Sequence, residues 1–322
     1  MMRFGLWVTF AMLLAALGPS AMAAQEEHPR TTDVARDAVA SSSQQEATEN
    51  QIDIVHHLGN AHELELPFVG IVHLPQWEPI HLGGLSIDLS PTKHFVFMLL
   101  AAIIVALTFV LSARAVARAQ ARGRPAKGFA GTMEALALYI RQEVVLPNVG
   151  HHGEGFVPYL LTLFFFILVM NLLGLLPWGA TPTGNIAVTA ALALMAFITI
   201  EVAGMRALGV RGYLHTIFYL PPGLPGPLKP IMLLIMTPVE IIGKLSKPFA
   251  LAVRLFANMT AGHVLVLALI GLTFLFQSYV VGIGASVLAT AIMLLELFVA
   301  FLQAFVFTLL TSVFIGLMRA EH

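Results

Sequence analysis

Apolar positions along this chain fall into runs of about twenty residues, the length a helix needs to cross the ~30 Å core of a bilayer. The first such span runs from about His94 to Ala113. A different pattern follows from about Ala130 to Leu146. There Met133, Leu136, Ala137, Ile140 and Val144 share one helical face, while Glu134, Arg141 and Gln142 interrupt the other. That spacing predicts a helix lying on the membrane surface, ended by Pro147 and Gly150. A span from Phe156 to Leu176 and another from Asn185 to about Met205 are joined by the uncharged turn PWGATPTG and form a tight hairpin. Five prolines and two glycines between Tyr219 and Pro230 exclude a helix there. Beyond them lie two longer stretches, Ile231 to Phe276 and Tyr279 to Met318. Each would make a helix of roughly 60 Å or more, so both are expected to be steeply tilted, with local bends at Pro238 and Pro248. The pattern predicts an all-α polytopic membrane protein with five membrane crossings: one N-terminal span, a helical hairpin and two long tilted helices. The interfacial amphipathic helix is additional.

Composition agrees. Of 322 residues, 58% are hydrophobic and 11% charged, against about a quarter charged in a soluble domain. There is no cysteine, which excludes disulfides and thiolate metal sites. Residues 1–23 read as an export signal: a basic start at Met1 to Arg3, an apolar Phe4 to Leu17, a break at Gly18-Pro19-Ser20 and a small-x-small Ala21-Met22-Ala23. An uncleaved signal anchor is the alternative. Residues 24–90 form an acidic arm outside the cytoplasm, expected to be partly disordered; from Ala24 to about Leu66 it is too polar to offset the entropy of ordering. From Ala24 to Thr92 there are eleven acids against two arginines, whereas Arg114, Arg118, Arg122, Arg124 and Lys127 follow the first span with no acid among them. The positive-inside bias thus places the N-terminus outside and the C-terminus in the cytoplasm, in a bacterial inner membrane. His56, His57, His62, His151 and His152 lack the companion ligands of a metal site, and no metal or cofactor is expected.

One residue does not suit its surroundings. Arg254 lies within Pro248 to Phe276, an otherwise apolar run, and a guanidinium does not deprotonate in proteins. Placing it in lipid costs between ~3 and over 10 kcal/mol, so it marks an ion pathway, or else it snorkels or pairs with a buried acid. With about 100° per residue, Glu240, Lys247 and Arg254 fall within roughly 40° of one another. Gly243, Ala250, Ala257, Asn258 and Ala261 lie on or beside the same stripe. Small residues let another helix approach closely. His263 lies on the opposite face, about 14 Å further along the axis, and Glu296 and Gln303 share a face of the last helix. The constellation reads as two proton-accessible regions separated by a fixed cation, which a proton passes only on a mobile carboxylate.

These residues carry a resemblance. LSKPFALAVRLFANMTAGH (Leu245 to His263) resembles the signature of the subunit a family of F-type ATP synthases, the stationary proton-channel subunit beside the rotating c-ring. FLQAFVFTLLTSVF (Phe301 to Phe314) looks like that family's last helix, and PYLLTLFFFILVMNLLGLLPWGATPTGN (Pro158 to Asn185) like its central hairpin. The likeness covers about Pro91 to the C-terminus, a membrane domain of residues 91–322. It implies that Arg254 attracts the ionised c-ring carboxylate and blocks a short circuit between half-channels. It also implies that Asn258 and Gln303 sit near that arginine, with Gln303 positioning it, and that His263 and Glu296 belong to the outer half-channel. In some members the acid and the histidine are exchanged. Glu240 matches an acid of the inner half-channel, and Lys244 and Lys247 are expected to meet headgroups or neighbouring subunits. The implied partners are the c-ring and the b stalk, and the chain by itself is no enzyme.

Other classes fit less well. An intramembrane enzyme lacks H-E-x-x-H and G-x-S-x-G, and no P-loop is present. A secondary transporter or ion channel using an intramembrane Arg/His/Glu site is the alternative; transporters of that kind show paired repeats, and the two halves here do not resemble each other.

Overall fold

In a computed structural model, the structure describes residues 63–66, 70–75, 80–82, 85–87, 90–150, 153–176, 181–218, 229–276 and 278–320. The signal segment 1–23, the arm up to residue 62, His56, His57, His62, His151 and His152, the middle of the hairpin turn and the proline-rich loop 219–228 lie outside the described residues.

Beyond Ser90 the described protein is helical, as the hydrophobic pattern requires. α1 (Lys93–Ala121) is capped by Thr92, whose hydroxyl accepts from the Phe95 amide at 3.4 Å. α2 (Phe129–Tyr139) runs into a π-helical turn, Ile140–Val145, and the one-turn α3 (Leu146–Val149). α4 (Val157–Gly174) and α5 (Ile186–Ile217) form the hairpin. Asn185 caps α5, its side chain accepting from the Ala187 amide at 2.9 Å. α6 (Lys229–Phe276) has 48 residues and α7 (Tyr279–Ala320) has 42. Five of these segments are long and apolar enough to cross a membrane. α6 continues unbroken through Pro238 and Pro248. Pro230 falls in its first turn, where the missing N–H would have had no partner.

The centre is the short, apolar α4. Leu160, Leu163, Phe164, Ile167 and Met170 are fully buried, with Phe307 and Ile315 of α7 and Leu251 and Leu255 of α6 packed in the same core. Phe164 meets Phe165 and Phe301 edge to face, with centroids 5.1 and 5.7 Å apart. α7 packs on α4, α5 and α6, and α1 lies on the outside of α4.

Four features depart from the sequence reading. Two antiparallel hairpins occupy the end of the arm: β1 (Glu63–Leu66) with β2 (Gly70–His73), and β3 (Ile80–Leu82) with β4 (Leu85–Ile87). The amphipathic segment is interfacial only at first: Phe129, Leu138 and Tyr139 are exposed, but Ile140, Val144, Val145 and Val149 are buried in the core. Pro147 does not end it either, because it sits in the first turn of α3, and Gly150 at φ 77° makes the stop. Finally, α5 does not finish near Arg206. Gly209, at φ 69° and ψ 165°, breaks the helix, and the chain resumes a helical path to Ile217. Only glycine takes that conformation without strain.

Candidate functional site

α6 divides lengthwise into two faces. Pro248, Leu251, Ala252, Leu255 and Met259 are buried, the i, i+3, i+4, i+7 spacing of a helix packed on one side. Lys247, Ala250, Arg254, Ala257, Asn258 and Ala261 are exposed, and Gly243 and Glu240 are half-buried beside them. The stripe expected from the sequence is therefore real and faces away from the rest of the chain. Among the described residues Arg254 has no hydrogen-bond or ion-pair partner.

Beyond Arg254, α6 and α7 set Asn258, Gln303 and Glu296 at successive levels. Asn258 donates from Nδ2 to Gln303 Oε1 at 3.0 Å, joining α6 to α7 one turn beyond Arg254. Gln303 is 4% exposed, and its Nε2 is buried without an acceptor. Gln303 Oε1 thus accepts from Asn258, and its second lone pair is left to receive another donor. One further turn along α6, the Glu296 carboxyl group of α7 lies against Gly262, so closely that a Cβ there would collide with it. His263 is the next residue and is half-buried. Antiparallel packing thus sets Arg254, then Asn258 with Gln303, then Gly262 with Glu296, in steps of about 6 Å. Glu240 is not brought to this group; it lies fourteen residues before Arg254, about 21 Å down the axis.

Sequence reasoning missed several buried polar residues. Asn171 of α4, wholly buried, donates to the Ala300 carbonyl of α7 at 3.2 Å and accepts from the Thr183 hydroxyl at 2.8 Å. His94 Nδ1 sits 3.1 Å from the Thr181 carbonyl and must carry the proton, since a carbonyl only accepts. Gly174 and Gly316 mark close approaches: a Cβ would strike Thr181 at the first and the Asn148 carbonyl at the second.

Lys244 is a correction. It meets neither headgroups nor another subunit but is buried between α6 and α5. Its Nζ lies 3.8 Å from Glu201 Oε2, donates to Thr216 Oγ1 at 3.1 Å and sits 4.5 Å from the centre of the Tyr213 ring. The Tyr213 hydroxyl also donates to the Glu201 carboxylate. Tyr213 and Glu201 are twelve residues apart, about 18 Å on a straight helix; the break at Gly209 lets them meet. An acid and a glycine inside the third span were the only signals available. Lys247, exposed, holds its Nζ 5.1 Å over the Phe314 ring.

A cavity of about 460 Å³ opens where α4 begins and α5 and α7 end, lined by Glu154, Phe156, Pro158, Ala203, Arg206 and Arg319, among others. None of the six predicted site residues lines it.

Comparison with known proteins identifies the family. A family model described as ATP synthase A chain matches residues 95–316. A relative named ATP synthase subunit a, from Chloroherpeton thalassium, is 45% identical over 272 residues, covering 84% of this chain and 78% of the relative. One of the same name from Pelodictyon phaeoclathratiforme is 42% identical over 320 residues, covering 97% and 90%. Another, from Myxococcus xanthus, is 43% identical over 277 residues, covering 79% and 88%. With an unpartnered arginine on an open stripe, five potential membrane-crossing helices and a match over most of its length, the chain belongs to the ATP synthase A chain family.

Proposed function

We propose that this chain is the stationary proton-translocating subunit of the membrane sector of an F-type ATP synthase, working against a ring of carboxylate-bearing c subunits and held by a b-type stalk. The observation that carries this reading is the face of α6: a permanent cation, flanked by alanines, directed outward and without a partner among the described residues. In a lipid-depth helix such a charge needs an anion, and small neighbours let a helix bearing one come close.

Protons enter from outside near His263 and Glu296 and pass to the carrier carboxylate. The neutral carrier then moves through lipid. On its return the proton leaves toward the cytoplasm by way of Glu240, and Arg254 attracts the ionised carboxylate, favouring the charged form at its own face. A proton cannot cross without the carrier, because the guanidinium stands between the two regions and accepts none. Asn258 and Gln303 hold the two long helices in register at this level. Each charge crossing 100 mV carries about 2.3 kcal/mol, so one ATP requires several carriers. The chain itself supplies the path, not the chemistry of ATP.

The signal at 1–23 and the arm at 24–90 place the N-terminus outside a bacterial inner membrane, with the membrane domain 91–322 ending in the cytoplasm. The positive segment from Arg114 to Lys127 supports that orientation. The test is ATP-driven acidification of inverted vesicles holding the assembled complex, wild type against Arg254→Ala, with the ring shown to co-purify. An assembled variant that no longer acidifies supports the proposal. One that pumps normally refutes it.

A further inference from the structure

α6 carries four cations, Lys229 in its first turn and Lys244, Lys247 and Arg254 further along, and the last three are treated differently by their own chain. Lys244 is 8% exposed at the side chain and Glu201 11%, and Tyr213 and Thr216 complete the shell around the ammonium. Lys247 rests on the Phe314 ring. Of Lys244, Lys247 and Arg254, the arginine is the one with no partner among the described residues.

A buried ion pair is weak grounds for stability, because desolvation cancels most of the attraction and an apolar pair of similar volume often serves as well. The cluster is also constructed at some cost: α5 must break at Gly209 to bring Tyr213 and Thr216 back over Lys244. On the helical wheel Lys244 stands about 80° from Arg254 and about 15 Å from it along the axis. Its four-carbon stem is flexible enough to swing onto the open stripe if released.

We propose that Glu201, with Tyr213 and Thr216, is a positioning group that holds Lys244 off the open stripe of α6, so that the passing carrier carboxylate meets no further cation beside Arg254 and the ring-bound Lys247. The proposal rests on the translocation reading above. A freed ammonium would add a further electrostatic trap about 15 Å from Arg254, and the carrier would dwell there. Coupling would survive, since a trap delays the carrier without opening a path around it.

The experiment uses the whole complex reconstituted in liposomes, with assembly checked, and compares ATP-driven proton pumping and ATP hydrolysis. Glu201→Gln is expected to slow both together by roughly three- to tenfold, the range that coupling among neighbouring charged groups produces. Adding Lys244→Met to Glu201→Gln is expected to restore the rate, and Lys244→Met alone to run close to wild type. A cluster that merely clamps α5 to α6 gives the opposite result: the double variant is as slow as either single variant or slower. Should Glu201→Gln fail to assemble, Glu201→Asp keeps the charge but lengthens the pair, and the same rescue by Lys244→Met is expected. Wild-type rates in both Glu201 variants, or a double variant that stays slow, overturn the inference. Arg254→Ala runs alongside: if it pumps, the translocation reading itself has failed, and if it is inactive while the rescue is absent, only the role of Glu201 has.

Discussion

Lys244 and Arg254 sit on the same helix ten residues apart, and the protein deals with them in opposite ways. Around Lys244 the chain supplies a carboxylate, a hydroxyl and an aromatic ring. Around Arg254 it supplies alanines and open space. The same contrast separates the two sides of the molecule. On the closed side, Asn171, Thr183 and Glu201 all have partners within the chain, as low-dielectric surroundings demand. On the open side lie an unpartnered guanidinium and a row of exposed apolar side chains, among them Ile242, Leu245 and Phe249. Among the described residues, the chain that surrounds Lys244 so fully leaves Arg254 exposed and without a partner.

The largest effect should come from altering the open side while keeping its charge. Arg254→Lys is expected to cut ATP-driven pumping by about a hundredfold, or ~2.7 kcal/mol on the barrier, because a compact ammonium lacks the planar fork that meets a carboxylate with two bonds. Pumping by assembled vesicles measures it, and near-normal transport would erase the distinction drawn between the two cations. On the closed side, Asn171→Ala removes two buried hydrogen bonds and is expected to destabilise the subunit by about 1–2 kcal/mol. Thermal unfolding of the purified complex would register this as earlier release of the chain, with little change in turnover per assembled complex.

The seam between the sides is sharpened by Gly262→Ala. The added methyl collides with the Glu296 carboxyl group, which is the mobile end of a long side chain and turns away. Assembly should persist while pumping falls about fivefold, or ~1 kcal/mol. An unchanged rate would mean that Glu296 does not work from that position. The smallest effect is expected from Ile242→Ala, exposed on the open side. The stability of the detergent-solubilised chain should move by less than ~0.5 kcal/mol. A larger loss of stability would show that this face is covered by the chain itself.

How much of this was legible beforehand follows from range. The five long apolar segments, the stripe through Lys247, Arg254 and Asn258, and the proline-rich break before α6 could all be read from the sequence, because hydropathy and the helical repeat are local properties. The short hairpins at Glu63–His73 and Ile80–Ile87 were not read. The first strand falls at the end of the polar stretch, and runs of three or four residues give periodicity little to work with. The late half of the amphipathic segment was read as surface, since its apolar face fits a bilayer and a protein core equally well.

The sequence by itself determined the class of the protein, the number of long helices and the presence of a permanent charge in an apolar run. Bilayer thickness and the chemistry of guanidinium impose these on any chain with this pattern. Only the tertiary structure decided which cation is neutralised and which is left open. Glu201 and Lys244 are forty-three residues apart, Asn258 and Gln303 forty-five. Whether such pairs meet depends on the break at Gly209 and on the antiparallel seating of α7 on α6. A helical wheel says which way a side chain points along its own helix, but what waits there is set by the packing of other helices.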